Sequence, residues 1–436
     1  MGKGCPGTMW PRWPCFARRQ RRAYRKGADN GDSWAQNIVG YYYEAGLGGR
    51  TKDDKQALVW YRKAADNGNG RSQHSIGLFY LRGRGGLPQD AQQAAFWYRK
   101  GADAGNAVAQ SNLGDFYAAG LGGLPKDEKQ AAVWYRKAAD NGNAQAAVSL
   151  GLFYQNGQGG LPKNDQQAAL YYRKAAELGN AWGENNLASF YLAGRGVPKD
   201  LRIAAQWYQK SAAQGNVLAE SQLGWFYEFG NGGLPVNYGQ AAYWFRKAAA
   251  QGNVYAEGEL GWFYFSGQGV HKDLVQGFTL SKKAADAGNA TALNNIGWCY
   301  GTGVVVGRDL RQAEAYYKKA AAAGSQLAVK NLANLRAPST THGTYARSEG
   351  WSDGGFSASN NNEGGYCPRG MTAEGGYCMD SSGVRHNTVG EEYGVPQGND
   401  YEYESQQESE PQYEAPSYEA PAYEPPAYEP PPASPE

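Results

Sequence analysis

Ala107–Asn143 reads AVAQSNLGDFYAAGLGGLPKDEKQAAVWYRKAADNGN, and its two halves carry the same message in two dialects. From about Ala109 to Ala119, small residues and Leu113, Gly114, Phe116 and Tyr117 recur at helical spacing. The phrase Gly120-Leu121-Gly122-Gly123 then breaks the helix, because glycine alone takes positive φ without penalty. Asp127, followed three residues later by Gln130, is a start signal resembling a capping box. The second helix it opens shows an apolar stripe of Ala131, Trp134, Tyr135, Ala138 and Ala139, and Gly142 supplies a left-handed stop.

The same phrase returns along the chain. Repeats begin at Ser33, Gly70, Ala107, Ala144, Ala181, Val217, Val254 and Ala290, at steps of 36 or 37 residues. The start signal recurs as Asp53–Gln56, Asp90–Gln93, Asn164–Gln167, Asn237–Gln240, Asp273–Gln276 and Asp309–Gln312, while Asp200 keeps the cap alone. Residues 17–32 match a second helix and residues 326–336 a first helix. One hairpin of this kind cannot bury its own apolar face, but stacked neighbours can. The reading is therefore an all-α, right-handed α/α solenoid over 17–336, made of a partial repeat (17–32), eight full repeats (33–325) and a terminal helix (326–336). It is flanked by an unstructured segment at 1–16 and a disordered tail at 337–436. Trp60-Tyr61, Trp97-Tyr98, Trp134-Tyr135 and Trp207-Tyr208 are expected in the core.

The pattern A-x-A-x-x-x-L-G-x-x-Y-x-x-G-x-G-V-x-K-D-x-x-x-A-x-x-W-Y-x-K-A-A-x-x-G-N, followed most closely by Ala181–Asn216 and Val254–Asn289, resembles the Sel1-like repeat, a relative of the tetratricopeptide repeat. The resemblance covers Arg19 to Arg336. It implies a superhelical adaptor or scaffold for protein assembly, of a kind found in bacterial signalling, at the cell envelope or in contact with host cells. One branch of the family carries a disulfide in every repeat, and this chain lacks those cysteines.

The totals agree with an extended array. A chain of 436 residues exceeds one compact core. Its 61 glycines fall largely at fixed spacing. No run of 18 apolar residues exists, so no transmembrane segment is expected. The N-terminus lacks an apolar signal-peptide core and enters the array in mid-repeat. The compartment stays open: cytoplasmic if the chain starts here, periplasmic or secreted if the N-terminus is truncated. Of the five cysteines, Cys299 stands where sibling repeats carry Phe and reads as core. Cys367 and Cys378 leave a tail disulfide open.

If first helices line the concave side, as in related folds, their free face is expected at repeat positions 2, 5, 9 and 12. Position 9 carries Tyr41, Leu78, Asp115, Leu152, Ser189, Trp225, Trp262 and Trp298. Position 2 includes Trp34, Trp182 and Tyr255, position 5 includes His74, and position 12 includes Glu228 and Phe265. Variation within a fixed frame suits a partner-binding stripe, and an aromatic ladder over repeats five to eight is its sharpest form. The alternative is that the rings stiffen the array by packing between first helices.

Charge is divided. From Ala337 onward there are 17 acidic and 3 basic residues, against 24 acidic and 40 basic before it. Basic pairs such as Arg99-Lys100 and Arg136-Lys137 recur on second helices as a solvated face open to anionic partners. Nucleic acid is disfavoured, since no recognition motif is present. The tail ends in YEAPSYEAPAYEPPAYEPPPASPE, which offers a linear motif, an intramolecular contact with the basic array, or a solubilising tail. No catalytic motif appears, and the isolated His74, His271, His342 and His386 lack metal-ligand spacing. The expectation is a non-enzymatic protein without cofactor or metal, holding a protein or peptide in its groove. The alternative is an envelope- or surface-associated protein acting through its tail.

Overall fold

A computed structural model describes residues 22–336 and three short strands in the tail. After a helical stretch at 22–29, eight first helices run Ser33–Glu44, Gly70–Arg82, Ala107–Ala119, Ala144–Asn156, Ala181–Ala193, Val217–Phe229, Val254–Ser266 and Ala290–Thr302. Eight second helices alternate with them: Asp54–Asp66, Ala91–Asp103, Glu128–Asp140, Asp165–Glu177, Leu201–Ala213, Tyr238–Ala250, Leu274–Asp286 and Leu310–Ala322. Gln326–Arg336 closes the array. Each helix contacts the next in sequence, giving a tandem α-helical solenoid.

Both helices of a repeat begin on a side-chain cap. Asp53 accepts from the Gln56 backbone N–H at 2.9 Å, and Asp127 from Gln130 at 3.0 Å. The reciprocal half of a capping box is not needed. The Asp53 N–H donates to the Tyr43 carbonyl at 2.8 Å, and the Asp127 N–H to that of Tyr117 at 2.8 Å. The second helix is thereby tied to the end of the first. From repeat two onward first helices open on asparagine, as where Asn143 accepts from Ala146 N–H at 2.8 Å.

The core sits between the helices of each pair. Position 8 is glycine in seven repeats, and a Cβ on Gly114 would lie 2.6 Å from the Tyr135 ring. That close approach lets the tyrosine lie flat on the first helix. Tyr61, Tyr98, Tyr172 and Tyr317 are thereby almost wholly enclosed. Cys299 is also fully buried, and burial pushes its thiol up to about 12.

At position 16 the loop touches the previous repeat. A Cβ on Gly196 would lie 2.2 Å from the Asp165 carbonyl oxygen, and φ there is +61°. Repeat eight instead carries Val305 at φ 70°, a left-handed conformation that a β-branched residue resists.

Thr372–Glu374, Tyr377–Met379 and Arg385–Asn387 form a three-stranded antiparallel sheet, with Cys378 in register with Ala373 and His386. The rest of the tail, Cys367 and the segment 1–16 lie outside the described residues.

Candidate functional site

The first helices of repeats two and three, four and five, six and seven, and seven and eight meet one another, while contacts between successive second helices are marginal at most. A helix row whose members lie closer together is the inner row of a curved stack, so first helices line the concave side.

Burial narrows the expected stripe. Position 5 is a seam: Asn37, Ser111, Val148, Asn185, Ser221 and Asn294 are all buried there. Position 12 turns toward the paired second helix, where Glu44 accepts from the Tyr61 hydroxyl at 2.6 Å and Gln155 from that of Tyr172 at 2.8 Å. Glu228 and Phe265, both at position 12, are accordingly buried rather than presented to a partner. Phe265 has a second reason. Repeat seven has Leu280-Ser281 where its siblings carry an aromatic pair, and Phe265 lies against Gly277 and the Trp298 ring, 5.4 Å between centroids.

The accessible arc passes instead through positions 2, 6, 9 and 13 of repeat six, at Leu218, Gln222, Trp225 and Phe229. Sequence reasoning missed positions 6 and 13. The signal was the small residues at position 5, which suit a close helix contact.

Trp34, Tyr41 and Trp182 are exposed, and Trp34 meets Tyr24 edge-on at 5.3 Å. Tyr255 is half-buried against Phe245. Trp225, Trp262 and Trp298 are each half-buried. Trp225 meets Phe226 at 5.3 Å and Phe229 at 5.7 Å. Each indole thus presents part of its area and packs the remainder. The three occupy the same first-helix position in repeats six, seven and eight.

In repeats two and three the face is polar. His74 accepts from Asn112 Nδ2 at 3.0 Å and stacks on Tyr98 at 5.6 Å. Burial lowers its pKa to about 4, so it is a neutral packing group. Asp115 accepts from the Tyr135 hydroxyl at 2.7 Å, and burial raises its carboxyl to about 6. Arg84 grips Asp54 through Nε at 2.9 Å and Nη2 at 2.8 Å, and Glu44 through Nη1 at 2.8 Å. Arg84 thus braces repeat two against repeat one. Among the described residues no cluster of three or more His, Cys, Asp or Glu side chains is placed to hold a metal ion, and no helix is long and apolar enough to cross a membrane.

The Sel1 repeat profile matches eight segments: 35–69, 70–106, 107–143, 144–180, 183–216, 217–253, 254–289 and 290–325. The chain belongs to the Sel1 repeat family. Among solved structures, this Sel1-repeat chain is similar to a protective antigen present in uropathogenic Escherichia coli strains and displaying an SLR fold. Identity is 35%, covering 72% of this chain and 67% of that one, with a TM-score of 0.61. A Sel1 repeat protein from Oxalobacter formigenes is 29% identical over 77% of this chain and 97% of its own, with a TM-score of 0.46. No curated protein matched the chain. Sel1-repeat solenoids generally mediate protein–protein interaction.

Proposed function

We propose that this Sel1-repeat protein is an adaptor that holds a protein or peptide along the first-helix face of repeats five to eight, without catalysis. Trp225, Trp262 and Trp298 are its anchors, with Trp182 and Tyr255 beside them. The observation that carries the reading is the recurrence of half-buried tryptophan at position 9 in three consecutive repeats, a position that varies elsewhere. Rigid aromatic rings give large contact area at small entropic cost.

The test compares the intact chain with the Trp225→Ala/Trp262→Ala/Trp298→Ala variant in affinity capture from source cells, alongside thermal melting of both. Loss of a specific partner by a folded variant supports the groove. A large fall in Tm with the partner retained would make the rings structural and sink the reading.

A second reading, a surface-associated protein acting through residues 337–436, draws support from the Escherichia coli relative being a protective antigen. Deleting 337–436 separates the two: a groove adaptor keeps its partner, and a tail-driven protein loses it.

A further inference from the structure

The second helices carry a feature that neither the core nor the groove uses. Immediately before the aromatic pair, each of repeats one to four places an aliphatic or aromatic side chain in solvent. These are Val59, Phe96, Val133 and Leu170, all 46–54% exposed. One such residue is unremarkable. Four at the same position in four consecutive repeats form a row across the array.

Three residues further on, hence on the same helix face, stand Arg99, Arg136 and Arg173. Their guanidinium groups are held in place. Arg136 Nη2 donates to the Tyr154 hydroxyl at 2.7 Å, Arg173 Nη2 to that of Tyr191 at 2.8 Å, and Arg99 Nη2 to that of Tyr117. The acceptor in each bond is a hydroxyl and not a carboxylate, so none of these bonds is an ion pair. Among the described residues none of the three arginines lies in an ion pair. Beside Val133 and Arg136 a shallow cavity of about 370 Å³ opens against Gly159, Gly160 and Leu161 of the next repeat.

We propose that this face of repeats two to four binds an acidic, extended peptide. Its apolar side chains lie on Phe96, Val133 and Leu170, and its carboxylates meet Arg99, Arg136 and Arg173. Charge complementarity favours carboxylates, which guanidinium recognises through paired N–H donors. The periodicity favours an extended chain. Packed helices lie roughly 8–10 Å apart at closest, and second helices of successive repeats are no nearer than that. At about 3.1 Å per residue, an extended peptide then needs at least roughly three residues between successive anchors. Guanidinium groups fixed once per repeat match an ordered row of carboxylates better than a fluid sheet of lipid headgroups. The site lies on other helices than the groove and does not depend on it.

The full-length protein is titrated against a fluorescein-labelled peptide, YEAPSYEAPAYEPPAYEP, whose glutamates recur every five residues and so clear that minimum. Residues 413–430 of this chain carry the same sequence, so the titration extends to large peptide excess. Saturable binding is expected, weakened several-fold between ~50 and ~300 mM salt as screening grows. Arg99→Glu/Arg136→Glu/Arg173→Glu should weaken it at least about tenfold. Phe96→Ser/Val133→Ser/Leu170→Ser should weaken it with little change in salt dependence. Circular dichroism checks folding, and the single Arg136→Gln variant, at an exposed position, serves if the triple variant unfolds. The groove tryptophan variant should bind as wild type. Absence of saturable binding, equal binding by the folded arginine variant, or binding to phosphatidylserine vesicles without binding to the peptide would each overturn the proposal.

Discussion

Repeats one to three and repeats five to seven solve the same joint with opposite chemistry. At position 4 the early repeats bury Gln36, Gln73 and Gln110, whose Nε2 atoms donate to the carbonyls of Ala28, Ala65 and Ala102 at 3.0–3.2 Å. The later repeats bury Glu184, Glu220 and Glu257 in the same seat. A carboxylate cannot donate, so the neighbours become donors. Gln214 reaches Glu184 at 2.8 Å, Gln251 and Lys247 reach Glu220, and Lys283 reaches Glu257 at 2.6 Å. The amide can give and receive, whereas the carboxylate only receives, from an amide at Glu184 and from a lysine at Glu220 and Glu257. The inner arc varies similarly: His74, Asn112 and Asp115 in repeats two and three, Trp225, Trp262 and Trp298 in repeats six to eight. A repeat constrains where side chains meet more tightly than what they are.

The largest test of this contrast is Phe265→Ala. Removing the ring that compensates for Ser281 should cost about 3–5 kcal/mol, as for other aromatic truncations in cores. Because each repeat contacts only its neighbours, amide exchange should accelerate in repeats seven and eight and stay unchanged in repeats one to three. Uniform acceleration would show that the halves unfold as one.

Next is Val305→Gly, which relieves a left-handed valine at a place where the seven other repeats carry glycine. It should stabilise by about 1–3 kcal/mol, read as a higher urea midpoint. Arg84→Ala should cost a similar amount, about 1–3 kcal/mol, by releasing two charge-assisted contacts between repeats one and two. Its effect should be confined to the early repeats.

The smallest effects concern pH. His74, held near 4 against an ordinary 6.5, contributes stability that is full above 6.5 and is lost as pH falls through 4. Asp115, raised to about 6 from 3.8, runs the other way. Its contribution is full below 3.8 and lost as pH rises through 6. Asp115→Asn should therefore raise the melting temperature at pH 7.5, and His74→Asn should flatten its acid decline. Glu184→Gln, which copies the early joint, should give a small rise at neutral pH, because burial raises the Glu184 pKa.

The fold was legible because periodicity and caps are local. Asp53, Asp127 and Gly142 announce their helices without reference to anything distant. The contact stripe was less so. Positions 5 and 12 share a helical face with 2 and 9 on a wheel, but which edge of that face meets a neighbour depends on how helices cross. Asn37 and Glu228 ended inside for that reason. Phe265 was readable in principle, since its size rises where Ser281 and Gly277 shrink. The Arg84 brace joins residues 30 and 40 positions apart and left no mark in any single repeat.

Every first helix from repeat two onward opens on the same asparagine cap, from Asn69 to Asn289. That makes the boundaries interchangeable. Excising residues 144–180 would join Asn143 to Ala181, recreating the Asn180–Ala181 junction. The array could gain or lose whole units without redesigning a joint. Such a change would move the tryptophan register along the axis relative to the arginine brace, so length itself becomes a heritable adjustment of reach.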